Sequence, residues 1–236
     1  MSHGTLYLIP VTLGDDAIGK ALPADVVAIA QQLDTFVVEN EKTSRRFLGT
    51  IKTARPVREL TLLTLDEHTT DKELPALLAP LLAGQDVGLI SEAGCPGVAD
   101  PGAQLVALAH RNNIRVVPLV GPSSILLGLM ASGLDGQRFT FLGYLPTEKA
   151  ERVKRLREIE AESRKRCETQ IFIETPYRNG HLLEDILATC QPETRLCVAC
   201  NLTLETERIV SKPVQDWKKS PLPDLHKQPA IFLLLA

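Results

Sequence analysis

The sequence predicts an α/β protein built as two α/β domains. Three observations lead there. Through the first half, short apolar runs alternate with stretches of helical spacing. In the second half two strand-like runs follow one another with no helix between them, which calls for a mixed sheet. And 236 residues are long for one domain and comfortable for two.

The elements follow in order. Residues 5–9 (TLYLI) read as a strand ended by Pro10, and 23–33 (PADVVAIAQQL) have helical spacing. A second strand is expected at 35–39 (TFVVE), and a short charged helix at 41–48 (EKTSRRFL). A helix over 71–82 carries Pro75 near its first turn, where proline is tolerated. Residues 86–91 make a third strand, 102–111 a helix and 114–120 (IRVVPLV) a fourth strand. Apolar strands separated by helices argue for a parallel sheet covered on both faces. The turn GPSS (121–124) opens an apolar helix through Ala131, and the pattern changes near 133–136. Then come a strand at 138–145, a long charged helix at 146–166, a strand at 169–174 and a helix at 177–189. Strands at 195–203, 207–210 and 230–235 complete the chain. The expected domains are 1–119, with a parallel sheet, and 120–236, with a mixed one.

Composition excludes some classes. Hydrophobic residues make up 44%, charged residues 23%, and the formal net charge is −3. No coat of positive charge exists, so any nucleic-acid contact is local. Five cysteines, an odd number, suggest free thiols in a reducing compartment. Cys197 and Cys200 form a C-x-x-C, but in RLCVACNLTL, which reads as a strand. Residues three apart on a strand face opposite ways, so the pair does not clasp a metal. The five histidines, His3, His68, His110, His181 and His226, make no ligand spacing, and no metal is expected. The N-terminus lacks a signal peptide's features, and no apolar stretch reaches about 18 residues. The expectation is a cytoplasmic protein with no membrane partner. Trp217 is read as a helix anchor, and Tyr144 and Tyr177 as loop residues that either stack on substrate or wall the site.

In open parallel sheets, ligands bind beyond the carboxyl ends of strands. Loops 10–16, 39–46, 92–102 and 121–124 leave such ends. There is no G-x-x-x-x-G-K-[ST], no G-x-G-x-x-G after a strand and no G-x-S-x-G elbow. A P-loop enzyme, a Rossmann dehydrogenase and an α/β hydrolase are thereby disfavoured. The segment EAGCPGVADPG has two readings: a tight double turn before a helix, or bare backbone that approaches a ligand closely.

Strand–SEAGCPGVADPG–helix, then VVPLVGPSS, then ASGLDGQRFTFLGYLP, resembles the tetrapyrrole methylase-like superfamily of S-adenosylmethionine-dependent methyltransferases. The nearest branch comprises the small-subunit ribosomal RNA (cytidine) ribose 2′-O-methyltransferases. TLYLIPVTLGD and IFIETPYR are similar to that branch's T-L-Y-x-V-x-T-P-I-G-N and I-F-Y-E-S-P-H-R. The resemblance covers nearly the whole chain in order. It implies S-adenosylmethionine folded between two α/β domains, a homodimer, and small-subunit ribosomal RNA or the assembled subunit as partner. The implied cofactor contacts are Pro10, Glu92, Ala93, Gly94, Val98, Asp100, Ser123, Ser124, Leu202, Thr203, Pro229 and Ala230.

A ribose hydroxyl is a weak acid, so a base or a nearby cation helps its methylation. Glu39, Glu41, Lys42, Glu92 and Arg178 are candidates, with Glu39 and Arg178 favoured because each lies at or just beyond a strand's carboxyl end. Lys42, Arg45 and Arg46 are the expected RNA-binding group. Lys149, Arg152, Lys154, Arg155 and Arg157 on the long helix, with 164–166 (RKR), read either as a phosphate stripe or as a solvated face compensated by glutamates such as Glu151 with Arg155. The chain also departs from the branch. Asn40, Glu41 and Lys42 stand where it has D-T-R, and Cys200, Asn201 and Leu204 where it has R, E and K. Two alternatives stay open on that account: a tetrapyrrole or other small molecule as methyl acceptor, and a cofactor-binding regulatory protein without turnover.

Overall fold

The computed structural model describes residues 3–14, 18–66, 68–70 and 72–236. Two compact units divide the chain, Met1–Ser123 and Ser124–Ala236.

The first unit runs β1 (Thr5–Ile9), α1 (Ile18–Ala21), α2 (Ala24–Gln32), β2 (Thr35–Val38), α3 (Glu41–Ile51), β3 (Thr61–Thr64), α4 (Leu74–Leu82), β4 (Val87–Ile90), α5 (Ala103–Arg111) and β5 (Arg115–Pro118). Its five strands are all parallel, in the order β3-β2-β4-β1-β5. β2 and β4 are buried along their whole length, which is why they read as unbroken apolar runs. Alternate side chains feed two cores. Leu6, Val37 and Leu89 pack with α4 and α5. Ile9, Phe36, Val38 and Ile90 pack with α2 and α3. β3 was not expected from sequence. It is a half-exposed edge strand of four residues, too short and too wet to show a buried pattern. The helix expected over 71–82 begins at Leu74, and Asp71 lies outside the described residues, as do Asp15 and Asp16 of the first loop.

The second unit runs α6 (Ser124–Ser132), β6 (Phe139–Tyr144), α7 (Lys149–Arg166), β7 (Thr169–Ile173), α8 (Asn179–Thr189), β8 (Arg195–Cys200), β9 (Arg208–Pro213), α9 (Val214–Trp217) and β10 (Ala230–Leu235). The order is β6-β7-β10-β8-β9, with β6–β7 parallel and the other pairs antiparallel. One face of this mixed sheet carries the main core, including Phe172, Leu196, Val198, Phe232 and Leu234 with residues of α7 and α8. Trp217 anchors α9 there: it is buried and its indole N–H donates to the Leu196 carbonyl at 3.0 Å.

The long helix corrects one expectation. Arg152 does not belong to a solvent-facing stripe. It is buried, and its Nε and Nη2 donate to Asp185 Oδ2 at 2.8 and 2.6 Å. This buried pair ties α7 to α8. Arg155 pairs with Glu158 and Glu162, both at 3.3 Å, rather than with Glu151. Cys197 and Cys200 lie on β8, both buried, and only Cys200 belongs to the main core. Among the described residues, no group of three metal-ligating side chains comes together, and no helix is long and apolar enough to cross a membrane.

Candidate active site

Parallel strands deliver their loops to one edge, and in the first unit three of them join there. Beyond β1, the Val11 N–H donates to the Gly94 carbonyl at 2.9 Å, and the Gly94 N–H donates to the Val11 carbonyl at 3.2 Å. Gly94 sits at φ +74°, where a side chain is strained. Cys95 Sγ contacts the Pro122 carbonyl at 3.5 Å. Gly121 lies flat on Pro10, and a Cβ there would fall 2.2 Å from Pro10 Cγ. So Pro10, Gly94 and the 121–123 turn form one surface, and Ser123 closes the unit. Ser124 opens α6 of the second unit. The segment EAGCPGVADPG is thus more than a connector: the Gly94 backbone and the Cys95 side chain stitch it to two other loops, and Ala93 and Val98 are left exposed on it.

The loop after β2 adds the charge. Register places Val38 beside Ile90, so Glu39 and Ser91–Glu92 leave the sheet as neighbours. Glu39 is half-buried, and its Oε2 has no hydrogen-bond partner among the described residues. Burial, then the nearby carboxylates of Asp100 and Glu92, push its carboxyl from the ordinary 4.5 up to about 7, although the Glu92 backbone N–H pulls the other way. Asp100 is raised too, mainly by burial. The Ser91 hydroxyl lies near enough to oppose that rise, without closing a hydrogen bond of good geometry. A carboxyl that titrates near neutrality is matched to general-base work.

α3 borders the same edge. Asn40 caps it, its Oδ1 accepting from the Lys42 and Thr43 N–H groups at 2.9 and 3.3 Å. Asp caps as well as Asn does, so the change from the branch's Asp at this position preserves the fold. Helical spacing then sorts the side chains. Ser44, Leu48 and Ile51 are buried. Thr43, Arg46, Phe47 and Thr50 line a cavity of about 350 Å³, which the β1 loop and Ile90–Ala93 complete. Arg45 takes neither course: it pairs with Glu41 at 3.1 Å and donates to the Val57 carbonyl. The three expected RNA-binding residues therefore divide. Arg46 lines the cavity, Lys42 is exposed at the helix start, and Arg45 is tied back to its own unit.

In the second unit, the expected residues gather at another corner. Asn201 N–H donates to the Pro229 carbonyl at 2.9 Å, and β8–β10 pairing sets Cys200 beside Ala230. Leu202 is buried, and Thr203 turns at φ +73° with its N–H on Glu207 Oε2 at 2.7 Å. Asn201 and Cys200 both contact Gln228 Oε1 at 3.1 Å, which gives those two departures a structural role. Arg178 opens α8 and pairs with Glu174 at 2.7 Å. Sequence reading passed over Glu174 and Asn179. Both are buried, and Glu174 Oε2 and Asn179 Oδ1 lack partners among the described residues. The only signal for Glu174 was the match of IFIETPYR as a whole, and Asn179 follows directly after that motif.

A parallel sheet whose carboxyl edge carries stitched glycine loops and clustered carboxylates, followed by a mixed-sheet unit, is the two-unit architecture that the resemblance to non-Rossmann methylases implies. The chain belongs to the family of tetrapyrrole (corrin/porphyrin) methylases, whose model matches residues 5–217. Its relatives are more particular. It is 35% identical over 216 residues to the ribosomal RNA small subunit methyltransferase I of Escherichia coli O157:H7, across 90% of this chain and 70% of that protein. With the Pseudomonas aeruginosa protein of that name it shares 33% over 225 residues, 93% and 75% of the two chains. Two solved structures share the fold at 17% identity. The methyltransferase CobJ matches with a TM-score of 0.63 over 100% of this chain and 94% of that one. Uroporphyrin-III-C-methyltransferase from Thermus thermophilus matches at 0.56 over 98% and 94%. The protein is a methyltransferase, and S-adenosylmethionine is the general methyl donor of such enzymes.

Proposed function

We propose that this protein methylates a ribose 2′-hydroxyl, that of a cytidine, in small-subunit ribosomal RNA, with Glu39 as the general base. The observation that carries the reading is the Glu39 carboxyl, raised to about 7 beside Glu92 and Asp100 at the carboxyl edge of the parallel sheet. S-adenosylmethionine supplies an activated methyl on a cationic sulfur. The first unit's residues suit it: clustered carboxylates favour a cation, and Ala93, exposed beside the buried Gly94 turn, offers close approach. Pro10, Gly94, Val98, Asp100 and Ser123 are the proposed contacts there. Glu39 takes the hydroxyl proton as the ribose oxygen attacks. Most of the remaining barrier is met by positioning. Arg178, its charge oriented by Glu174, supplies a cation in the second unit. The names of the relatives support ribosomal RNA as acceptor, and such an acceptor places the protein in the cytoplasm.

The test is incubation of the protein with methyl-labelled cofactor and under-methylated small subunits. Label in the RNA is expected. Cofactor binding without RNA labelling refutes the reading. The protein is also proposed to pair with a second copy. Leu126 and Met130, one turn apart on α6, are 52% and 79% exposed, a stripe that suits a like surface. Met130→Asp is expected to convert dimer to monomer in sedimentation.

A further inference from the structure

We infer that the cavity against α3 receives the base of the acceptor nucleotide, and that Glu92 selects a base carrying an exocyclic amine. This rests on the ribose-methylation reading and adds a specificity-determining residue to it.

Three observations support it. First is size. A cavity of about 350 Å³ stands at the small end of the range for ligand sites, roughly 300–1,000 Å³. It has room for a nucleoside. Second is the lining. Phe47 offers an aromatic wall, while the hydroxyls of Thr12, Thr43 and Thr50, whose protons go to backbone carbonyls, keep lone pairs that accept from a base edge. The Ser91 hydroxyl is buried with no closed hydrogen bond among the described residues. Third is Glu92, which lines the same cavity. Its Oε1 lies 3.3 Å from Thr43 Oγ1, a hydroxyl shared with the Asn40 carbonyl at 3.1 Å, so the carboxylate keeps acceptor capacity at the cavity wall. A carboxylate accepts from an amine such as cytosine N4. It repels a keto oxygen in that place. The cavity abuts the Glu39 loop through Ser91 and Glu92, so a base held there brings its own ribose to the proposed base. Enzymes that act on one nucleotide draw it out of the stack into such a pocket, and Arg46 at the rim suits the backbone phosphate.

The experiment compares small subunits reconstituted with RNA that carries, at the mapped acceptor position, either the natural base or its deaminated keto counterpart. The natural enzyme is expected to lose roughly 10- to 100-fold in kcat/KM on the keto form, the usual cost of one misread base. Glu92→Gln, whose amide donates to a keto oxygen, is expected to narrow the ratio to about threefold. Thr50→Phe fills the cavity and is expected to lower kcat/KM for RNA about tenfold or more, with calorimetric affinity for S-adenosylmethionine unchanged. Equal methylation of the two RNAs by the natural enzyme, or normal kcat/KM for Thr50→Phe, overturns this inference alone. Label absent from ribose with every substrate overturns the methylation reading and the inference together.

Discussion

Replacing Glu39 by Gln is expected to cost activity and, at alkaline pH, to add stability. The Glu39 carboxyl is raised from 4.5 to about 7 in the folded protein. Between those values the folded state holds a proton that the unfolded state has released. Stability therefore falls as pH rises through that window. A rise from 4.5 to about 7 corresponds to at most about 3.4 kcal/mol. Glu39 is only half-buried, so solvent screening reduces this to about 1–2 kcal/mol. Gln carries no charge to desolvate. Urea unfolding of both proteins at pH 5 and pH 8 measures the effect. The variant is expected to gain about 1–2 kcal/mol over the natural protein on going from pH 5 to pH 8. Its methyl transfer is expected to fall by about 10²–10⁴-fold, the usual share of a general base. A stability difference equal at the two pH values refutes the raised carboxyl. A variant with undiminished turnover refutes the role of base.

Other outcomes follow from the same geometry. Asp185→Ala strands the buried Arg152 guanidinium and is expected to cost about 3–5 kcal/mol in denaturant unfolding, a result that a solvated helix face does not give. Gly121→Ala drives a methyl into the Pro10 ring and is expected to weaken cofactor affinity about tenfold or more by calorimetry, with little change in far-ultraviolet circular dichroism. Lys42→Ala with Arg46→Ala is expected to reduce the salt slope of RNA binding by up to about 2 in log–log terms, while Arg45→Ala, whose guanidinium is held on its own unit by the Val57 carbonyl and Glu41, changes it by less than about 1.

What was legible in the sequence depended on burial. β2 and β4 are buried along their length and show as apolar runs. β1 and β10 run over the residues expected of them. β3 escaped because an edge strand carries no one-faced pattern in four residues. Arg152 was grouped with surface cations because composition does not reveal an aspartate on the next helix waiting for it. The place of Glu39 at a strand's end was legible. Its raised carboxyl was not, since that comes first from burial in the fold and then from Asp100 and Glu92, which strand pairing brings near from a distant part of the chain. Glycines and prolines between 94 and 102 left a linker and a ligand loop equally open. The bonds from Gly94 to Val11 and from Cys95 to Pro122 decide for a built loop.

The claim at the centre is the atom that receives the methyl group, and alkaline hydrolysis of labelled RNA tests it most directly. A 2′-O-methyl group removes the hydroxyl that cleaves the neighbouring phosphodiester. Transfer to ribose therefore predicts label in an alkali-resistant dinucleotide. Label released entirely as mononucleotide, with the methyl on a base, would contradict the account.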